Sequence, residues 1–100
     1  MTDDAERSRE TRAQLAECRI GIEELDRRLV ALLAERFALA QRTAGLKRDL
    51  GMPILDPERE AIVIRRAVEA ARQHGLSTEP VREIFWHVVG MSRRGQEERA

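Results

Sequence analysis

Apolar residues recur at helical intervals along most of this sequence. In the first half of the chain, leucines follow one another at intervals of three, four or seven residues among strong helix formers: Leu25, Leu29, Leu32, Leu39 and Leu46. On a helix with about 3.6 residues per turn, these intervals keep the side chains on one face. Because the neighbouring residues also favour helix, the pattern predicts a first helix from about Ser8 to Asp49.

Two interruptions separate this helix from two shorter ones. The segment Gly51-Met52-Pro53 breaks the apolar pattern, and a second helix is predicted to begin at Asp56-Pro57. Aspartate is a favoured N-cap, and proline is favoured at the first helical position. We expect this helix to run to His74 and to end at Gly75.

The third predicted helix begins around Ser77 or Thr78 and carries apolar residues as far as Met91. Glycine is a weak helix former. Because Gly90 and Gly95 lie near the end of this segment, we expect the helix to fray there into a charged tail.

The composition favours an all-α fold. Charged residues make up 36% of the 100 residues and aromatic residues 3%, with no tyrosine. Strands favour β-branched and aromatic residues, and the aromatic ones are scarce here. We therefore predict an all-α protein with three helices per chain, in which residues 1–7 form a disordered tail and residues 8–100 a single helical domain.

The first predicted helix is too long to fit within a compact domain of this size, so it must protrude or pair with another chain. Some forty residues at about 1.5 Å each span roughly 60 Å, whereas a compact domain of this length has a radius of gyration of about 13 Å. The helix also has a second apolar face, with Val30, Leu33 and Phe37. Two short helices cannot cover both faces, so the pattern predicts an intertwined homodimer whose first helices pack together. A plain coiled coil is the simpler alternative, which the two further amphipathic helices disfavour.

The overall charge argues against a dedicated nucleic-acid binder. Lysine plus arginine and aspartate plus glutamate number 18 each, whereas affinity for nucleic acid comes mainly from excess basic charge. A nucleic-acid binder is not excluded, because a chain with balanced charge can still group its basic residues on one surface. The polar N-terminus and the lack of a long apolar stretch predict a cytoplasmic protein without membrane contact. The lone Cys18 is interpreted as a small reduced residue in a helix.

Two cations interrupt the apolar face of the first predicted helix. Arg36 lies eleven residues beyond Leu25, and Lys47 lies eleven beyond Arg36, so both return to within about 20° of the leucine face. Arg19 lines up instead with the second apolar face. Arg19 and Arg36 are therefore predicted to point toward different neighbours.

Polar residues also extend the apolar pattern of the two shorter helices. Ser92 and Gln96 lie seven and eleven residues beyond Phe85, in line with its stripe. Arg59 and Glu60 lie at the start of the second helix, beside its N-cap. These four residues join the two cations as candidates for a polar site.

Each candidate also has a plain structural explanation. Long cationic side chains often extend from an apolar stripe to water, and an aspartate before a helix is commonly only a cap. Several inward cations without counter-charge are nevertheless costly to bury. A ligand with more than one carboxylate would remove that cost, because arginine offers a planar fork and lysine a point charge. Spacing alone therefore predicts a site for a small polyanion, and no more.

The same residues carry a resemblance to a known family. Four segments match its pattern without gaps between them, namely residues 19–26 (RIGIEELD), 32–36 (LLAER), 45–47 (GLK) and 53–60 (PILDPERE). From about Leu15 to Gln96, the chain resembles the all-helical chorismate mutases, the type II family.

The resemblance implies a role for each cation. Arg36 and Arg59 would hold substrate carboxylates within one subunit, and Arg19 would reach the same site from the partner subunit. Lys47 would donate a hydrogen bond to the ether oxygen whose bond breaks, with Gln96 as the second donor.

The resemblance also implies the reaction, which is the pericyclic rearrangement of chorismate to prephenate. Glu60, with the backbone near Asp56, would accept from the ring hydroxyl, and Ser92 would contact a carboxylate. The enzyme would be an isomerase that captures one conformer and stabilises developing charge, and it would need no metal and no cofactor.

Other functions stay open at this point. Isochorismate pyruvate lyase and aminodeoxychorismate mutase look like relatives of the chorismate mutases that share the same fold. The Asp56–Glu60 segment nevertheless favours chorismate as the substrate. A non-catalytic helical dimerisation or regulatory module is the alternative from another class.

Overall fold

The computed structural model describes residues 2–99, with the side chains of residues 3–96. The described residues form three helices and no strand. The helices are α1 (Thr2–Asp49), α2 (Pro57–Gln73) and α3 (Thr78–Arg99). The prediction of an all-α chain with one very long first helix is confirmed.

Helix α1 begins at Thr2 rather than at the predicted Ser8. Its first turn holds Asp3 and Asp4, and negative side chains stabilise the positive end of the helix dipole. The sequence predicts a disordered terminal tail before Ser8, but a solvated helix can continue through polar residues. The disorder predicted for residues 1–7 stays a prediction for the protein in solution, and residue 1 lies outside the described residues.

The first two helices end in the same backbone motif. After α1, the amide of Met52 donates to the carbonyl of Lys47 at 2.8 Å, with Gly51 at a φ of 68°. After α2, the amide of Leu76 donates to the carbonyl of Ala71 at 2.8 Å, with Gly75 at a φ of 69°. Glycine adopts this left-handed conformation without a steric penalty, which is why both glycines end their helices.

Helix α3 continues through both glycines to Arg99, so the predicted fraying at Gly90 and Gly95 is wrong. A glycine within a helix costs only about 1 kcal/mol relative to alanine. Gly90 is buried with its neighbours Val88 and Val89, and this packing offsets the loss. Ala100, the last residue of the predicted tail, lies outside the described residues.

The chain divides into two units, Met1–Ala34 and Glu35–Ala100. In the second unit, α2 and α3 pack against each other. The apolar side chains that are buried there are small or medium-sized, namely Ala44, Ala67, Val68, Ala71, Val88 and Val89. A core of this kind excludes water from one side of α3 and fixes the residues that follow Val89 along the same helix.

The first unit is the N-terminal part of α1, and its leucines are open to solvent. The exposed fractions of Leu25, Leu29 and Leu32 are 54%, 58% and 58%, and that of Val30 is 67%. Leu25, Leu29 and Leu32 belong to the first apolar face that the sequence predicts, and this face lies open to solvent in the single chain. Val30 belongs to the second face, whose Leu33 and Phe37 are half-buried. Along residues 2–99, no helix has an apolar stretch that would let it span a membrane.

Candidate active site

A pocket of about 300 Å³ lies within the unit Glu35–Ala100. Its walls come from the C-terminal part of α1, the connection to α2, the first turns of α2 and the C-terminal half of α3. The polar side chains in the lining are Arg36, Thr43, Lys47, Asp56, Arg59, Glu60, Ser92, Arg93 and Gln96. The volume is at the small end of the range for ligand sites.

Arg36 and Ser92 join α1 to α3 at this pocket. The Nη1 atom of Arg36 donates to the Oγ atom of Ser92 at 2.8 Å. The same hydroxyl donates to the carbonyl oxygen of Val88, one turn earlier, at 3.0 Å. Because the serine proton is directed to its own helix, the serine oxygen faces the guanidinium as an acceptor and holds Arg36 in place.

Lys47 joins the end of α1 to the segment that leads into α2. Its Nζ atom donates to the carbonyl oxygen of Ile54 at 3.2 Å, and its side chain is half-buried. An ammonium group has three donor positions. This contact occupies one of them, so further N–H bonds remain for a ligand in the pocket.

Gln96 lies in the pocket lining despite its neighbour Gly95. Its Nε2 atom donates to the carbonyl oxygen of Ala40 on α1 at 2.7 Å. An amide nitrogen carries two donor hydrogens, so the contact orients the side chain and leaves one hydrogen for another acceptor. The continuous helix α3 brings Gln96 to this position.

The start of α2 places Arg59 and Glu60 at the pocket through its cap. The Oδ1 atom of Asp56 accepts from the backbone amide of Arg59 at 3.1 Å, and Pro57 follows at the first helical position. This local geometry confirms the predicted start of the helix. Asp56 itself also lines the pocket, so one residue has both a structural and a candidate binding position.

Substitution of Asp56 tests its role as a helix cap separately from its candidate role in binding. We expect Asp56→Ala to lower the free energy of unfolding by about 1 kcal/mol, because the Arg59 amide loses its acceptor. Asp56→Asn should preserve most of the stability, since asparagine caps helices as well as aspartate does. The measurement is denaturant unfolding of the three proteins. Equal stability of Asp56→Ala and wild type would show that the cap contributes nothing.

Arg93 is a pocket residue that sequence reasoning missed. Its Nη1 atom donates to the Oε1 atom of Glu60, on α2, at 3.2 Å. The prediction counted positions from Phe85, and Arg93 is off that line by about 80° on a helix. A count from the buried Val89 identifies it, because Arg93 lies four residues beyond Val89 and Gln96 seven.

The pocket has an excess of positive charge. The lining contains four cationic side chains and two acidic ones, namely Arg36, Lys47, Arg59 and Arg93 against Asp56 and Glu60. A partly buried excess of this kind favours an anionic ligand, which supplies the missing counter-charge. Within the residues that the structure describes, no group of three or more His, Cys, Asp or Glu side chains has the arrangement of a metal site.

Comparison with known proteins relates this pocket to a family. Residues 18–97 match the family described as chorismate mutase type II. The chain belongs to this family. The match lies within the helical domain predicted for residues 8–100, and it contains every predicted site residue.

Comparison with individual proteins agrees with membership of the type II chorismate mutase family. The chain is 39% identical over 72 residues to a chorismate mutase from Methanocaldococcus jannaschii, covering 72% of this chain and 73% of that protein. It is 31% identical to the T-protein of Haemophilus influenzae over 71% of this chain and 30% identical to that of Enterobacter agglomerans over 77%. The matched segment spans only 19% and 21% of the two T-proteins.

Seven of the eight residues that the resemblance to type II chorismate mutases selects line the one pocket, namely Arg36, Lys47, Asp56, Arg59, Glu60, Ser92 and Gln96. The eighth, Arg19, lies in the unit Met1–Ala34, is exposed and does not belong to the lining.

Proposed function

We propose that this protein is an isomerase that converts chorismate to prephenate. One observation carries the proposal: in a chain of the type II chorismate mutase family, the candidate residues of a single subunit surround one cationic pocket. Chorismate has two carboxylates, and the excess of positive charge in the pocket suits a dianion. The reaction belongs to the synthesis of aromatic amino acids through the shikimate pathway.

Arg36 and Arg59 are proposed to hold the two ends of the substrate. Each guanidinium forms a planar pair of donors that matches a carboxylate. Arg36 is fixed by its 2.8 Å bond to Ser92, so its orientation is set before the substrate arrives. Held at both ends, the substrate is restricted to the compact conformer in which the reacting carbons meet, which is a proximity effect.

Lys47 and Gln96 are proposed to stabilise the charge that develops on the ether oxygen as its C–O bond breaks. Even a low enzymatic acceleration requires about 8 kcal/mol of barrier reduction. One preorganised donor typically contributes about 3–4 kcal/mol, so the arginines and the shape of the pocket must supply the remainder. The bonds of Lys47 to Ile54 and of Gln96 to Ala40 support this role, because they orient both donors in advance.

Glu60 is proposed to accept from the ring hydroxyl, together with the backbone near Asp56. Both residues lie at the start of α2, where the cap holds the backbone in one conformation. The reaction is unimolecular and needs no nucleophile, so these groups bind the ring and take no covalent part. A cofactor and a metal ion have no step to perform in this mechanism.

The active unit is proposed to be an intertwined homodimer in which Arg19 of one subunit completes the site of the other. The exposed leucines of α1 support this arrangement, because a second copy of the helix would cover them. An isologous dimer of this kind contains two equivalent sites. The cytoplasmic location stays a prediction.

The test is a comparison of three substrates. We expect the protein to accelerate the loss of chorismate absorbance and to act on chorismate with a larger kcat/KM than on isochorismate or aminodeoxychorismate. Pyruvate release from isochorismate without chorismate turnover would assign the protein to the lyases instead. No acceleration with any of the three would favour a structural or regulatory helical module.

A further inference from the structure

Arg93 lines the pocket but has no part in the mechanism proposed above. It contacts Glu60 across the interface of α2 and α3 at 3.2 Å. The side chains of Arg93 and Glu60 are 36% and 24% exposed, so water screens the pair only in part. The pocket carboxylate that is proposed to bind the substrate ring therefore has a fixed positive charge beside it.

A positive charge beside a carboxylate affects which ligand groups can bind to that carboxylate. A carboxylate offers about four acceptor positions, and one contact with Arg93 leaves others for a ligand. A neutral hydroxyl donates to such a carboxylate at no electrostatic cost. An ammonium in the same position would lie close to the guanidinium, and like charges in close contact are disfavoured. Without Arg93, the uncompensated carboxylate would instead favour the ammonium.

The other pocket cations do not distinguish a ring hydroxyl from a ring ammonium at Glu60. Arg36, Lys47 and Arg59 attract each ligand according to its whole charge, whereas Arg93 contacts the carboxylate at which the two ligand types would differ. The position of Glu60 also depends on the pair, because no other side-chain partner of Glu60 is found within residues 3–96.

Building on the proposed function, we infer that Arg93 is a positioning and specificity residue. It orients Glu60 and offsets its charge, so the pocket accepts a dicarboxylate whose ring has a neutral hydroxyl in preference to one whose ring has an ammonium.

The test compares Arg93→Gln with wild type in two measurements, the KM for chorismate and the inhibition constant of aminodeoxychorismate as a competitor of chorismate. The amine of the second compound is protonated near neutral pH. We expect the ratio of KM to inhibition constant to rise about tenfold in Arg93→Gln, a factor that corresponds to about 1.4 kcal/mol. Arg93→Lys retains the charge and should stay within about threefold of the wild-type ratio.

Arg94→Gln is the matched control. Arg94 is the adjacent arginine, is exposed and does not line the pocket, so its loss should change neither the ratio nor kcat. General damage to the fold weakens both ligands together and leaves the ratio constant. Should Arg93→Gln not fold by circular dichroism, Arg93→Met replaces it.

The inference is overturned if the ratio of KM to inhibition constant is the same in Arg93→Gln and wild type. Absence of inhibition by the amine in both proteins overturns it as well. An equal shift in Arg93→Lys overturns the assignment to charge. Failure of the proposed function has a different signature, because the wild-type protein would then not accelerate the loss of chorismate at all.

Discussion

Replacement of Lys47 by alanine is expected to reduce kcat for chorismate by about 100- to 1,000-fold, the usual effect of removing a preorganised donor to a developing oxyanion. The effect should fall mainly on kcat, because the contact strengthens as the C–O bond breaks and contributes less to the bound substrate. Steady-state kinetics of the wild-type and variant proteins measure both parameters. Lys47 is the only lysine of the sequence, so no second lysine of the chain can replace it.

A neighbouring cation supplies the control for this variant. Arg48 is exposed and lies outside the pocket lining, so Arg48→Ala should retain wild-type kcat although it removes the same charge. Lys47 also bonds to Ile54, so its loss removes one contact between α1 and the connection to α2. Helix content and the mass of the oligomer must therefore be equal in both variants. Full activity of a folded Lys47→Ala protein would refute the mechanism.

Arg19→Ala and Arg36→Ala are each expected to be inactive alone and to recover activity when mixed. If Arg19 serves the site of the other subunit, a mixed dimer contains one site with both arginines and one site with neither. Random exchange makes half of the dimers mixed, so about a quarter of all sites regain both groups. The expected result is about a quarter of the wild-type specific activity.

The experiment requires proof that subunits exchange. Two forms of different mass, separated after mixing, show the fraction of mixed dimers directly. A mixture of wild type with Arg48→Ala, handled in the same way, shows whether exchange itself harms activity. If verified mixed dimers remain inactive, sites shared between subunits are excluded, although a site within each subunit is not.

The local features of this fold could be predicted from short stretches of sequence. The cap at Asp56, with Pro57 behind it, and the glycine ends at Gly51 and Gly75 depend on contacts between residues at most five positions apart. The conformational preferences of aspartate, proline and glycine decide such contacts. The period of the leucines likewise predicts helix without any knowledge of packing.

Predictions that depend on packing were less accurate. Glycine is a weak helix former, which led to the expectation that α3 frays at Gly90, yet burial of the segment keeps it helical. The late predicted start of α1 has a different cause, because apolar periodicity cannot detect a solvated helix and α1 extends through a polar segment to Thr2.

The sequence by itself determined the three helices, the start of α2, the glycine stops after α1 and α2, and seven of the residues that line the pocket. It did so because helical spacing identifies which side chains share a face, and a resemblance to a family then selects among them. Only the tertiary structure decided that Arg36 meets Ser92 and that Arg93 meets Glu60, since these partners lie 56 and 33 residues apart. The physical reason is that such pairs depend on how two helices pack, and no pattern within either helix specifies that.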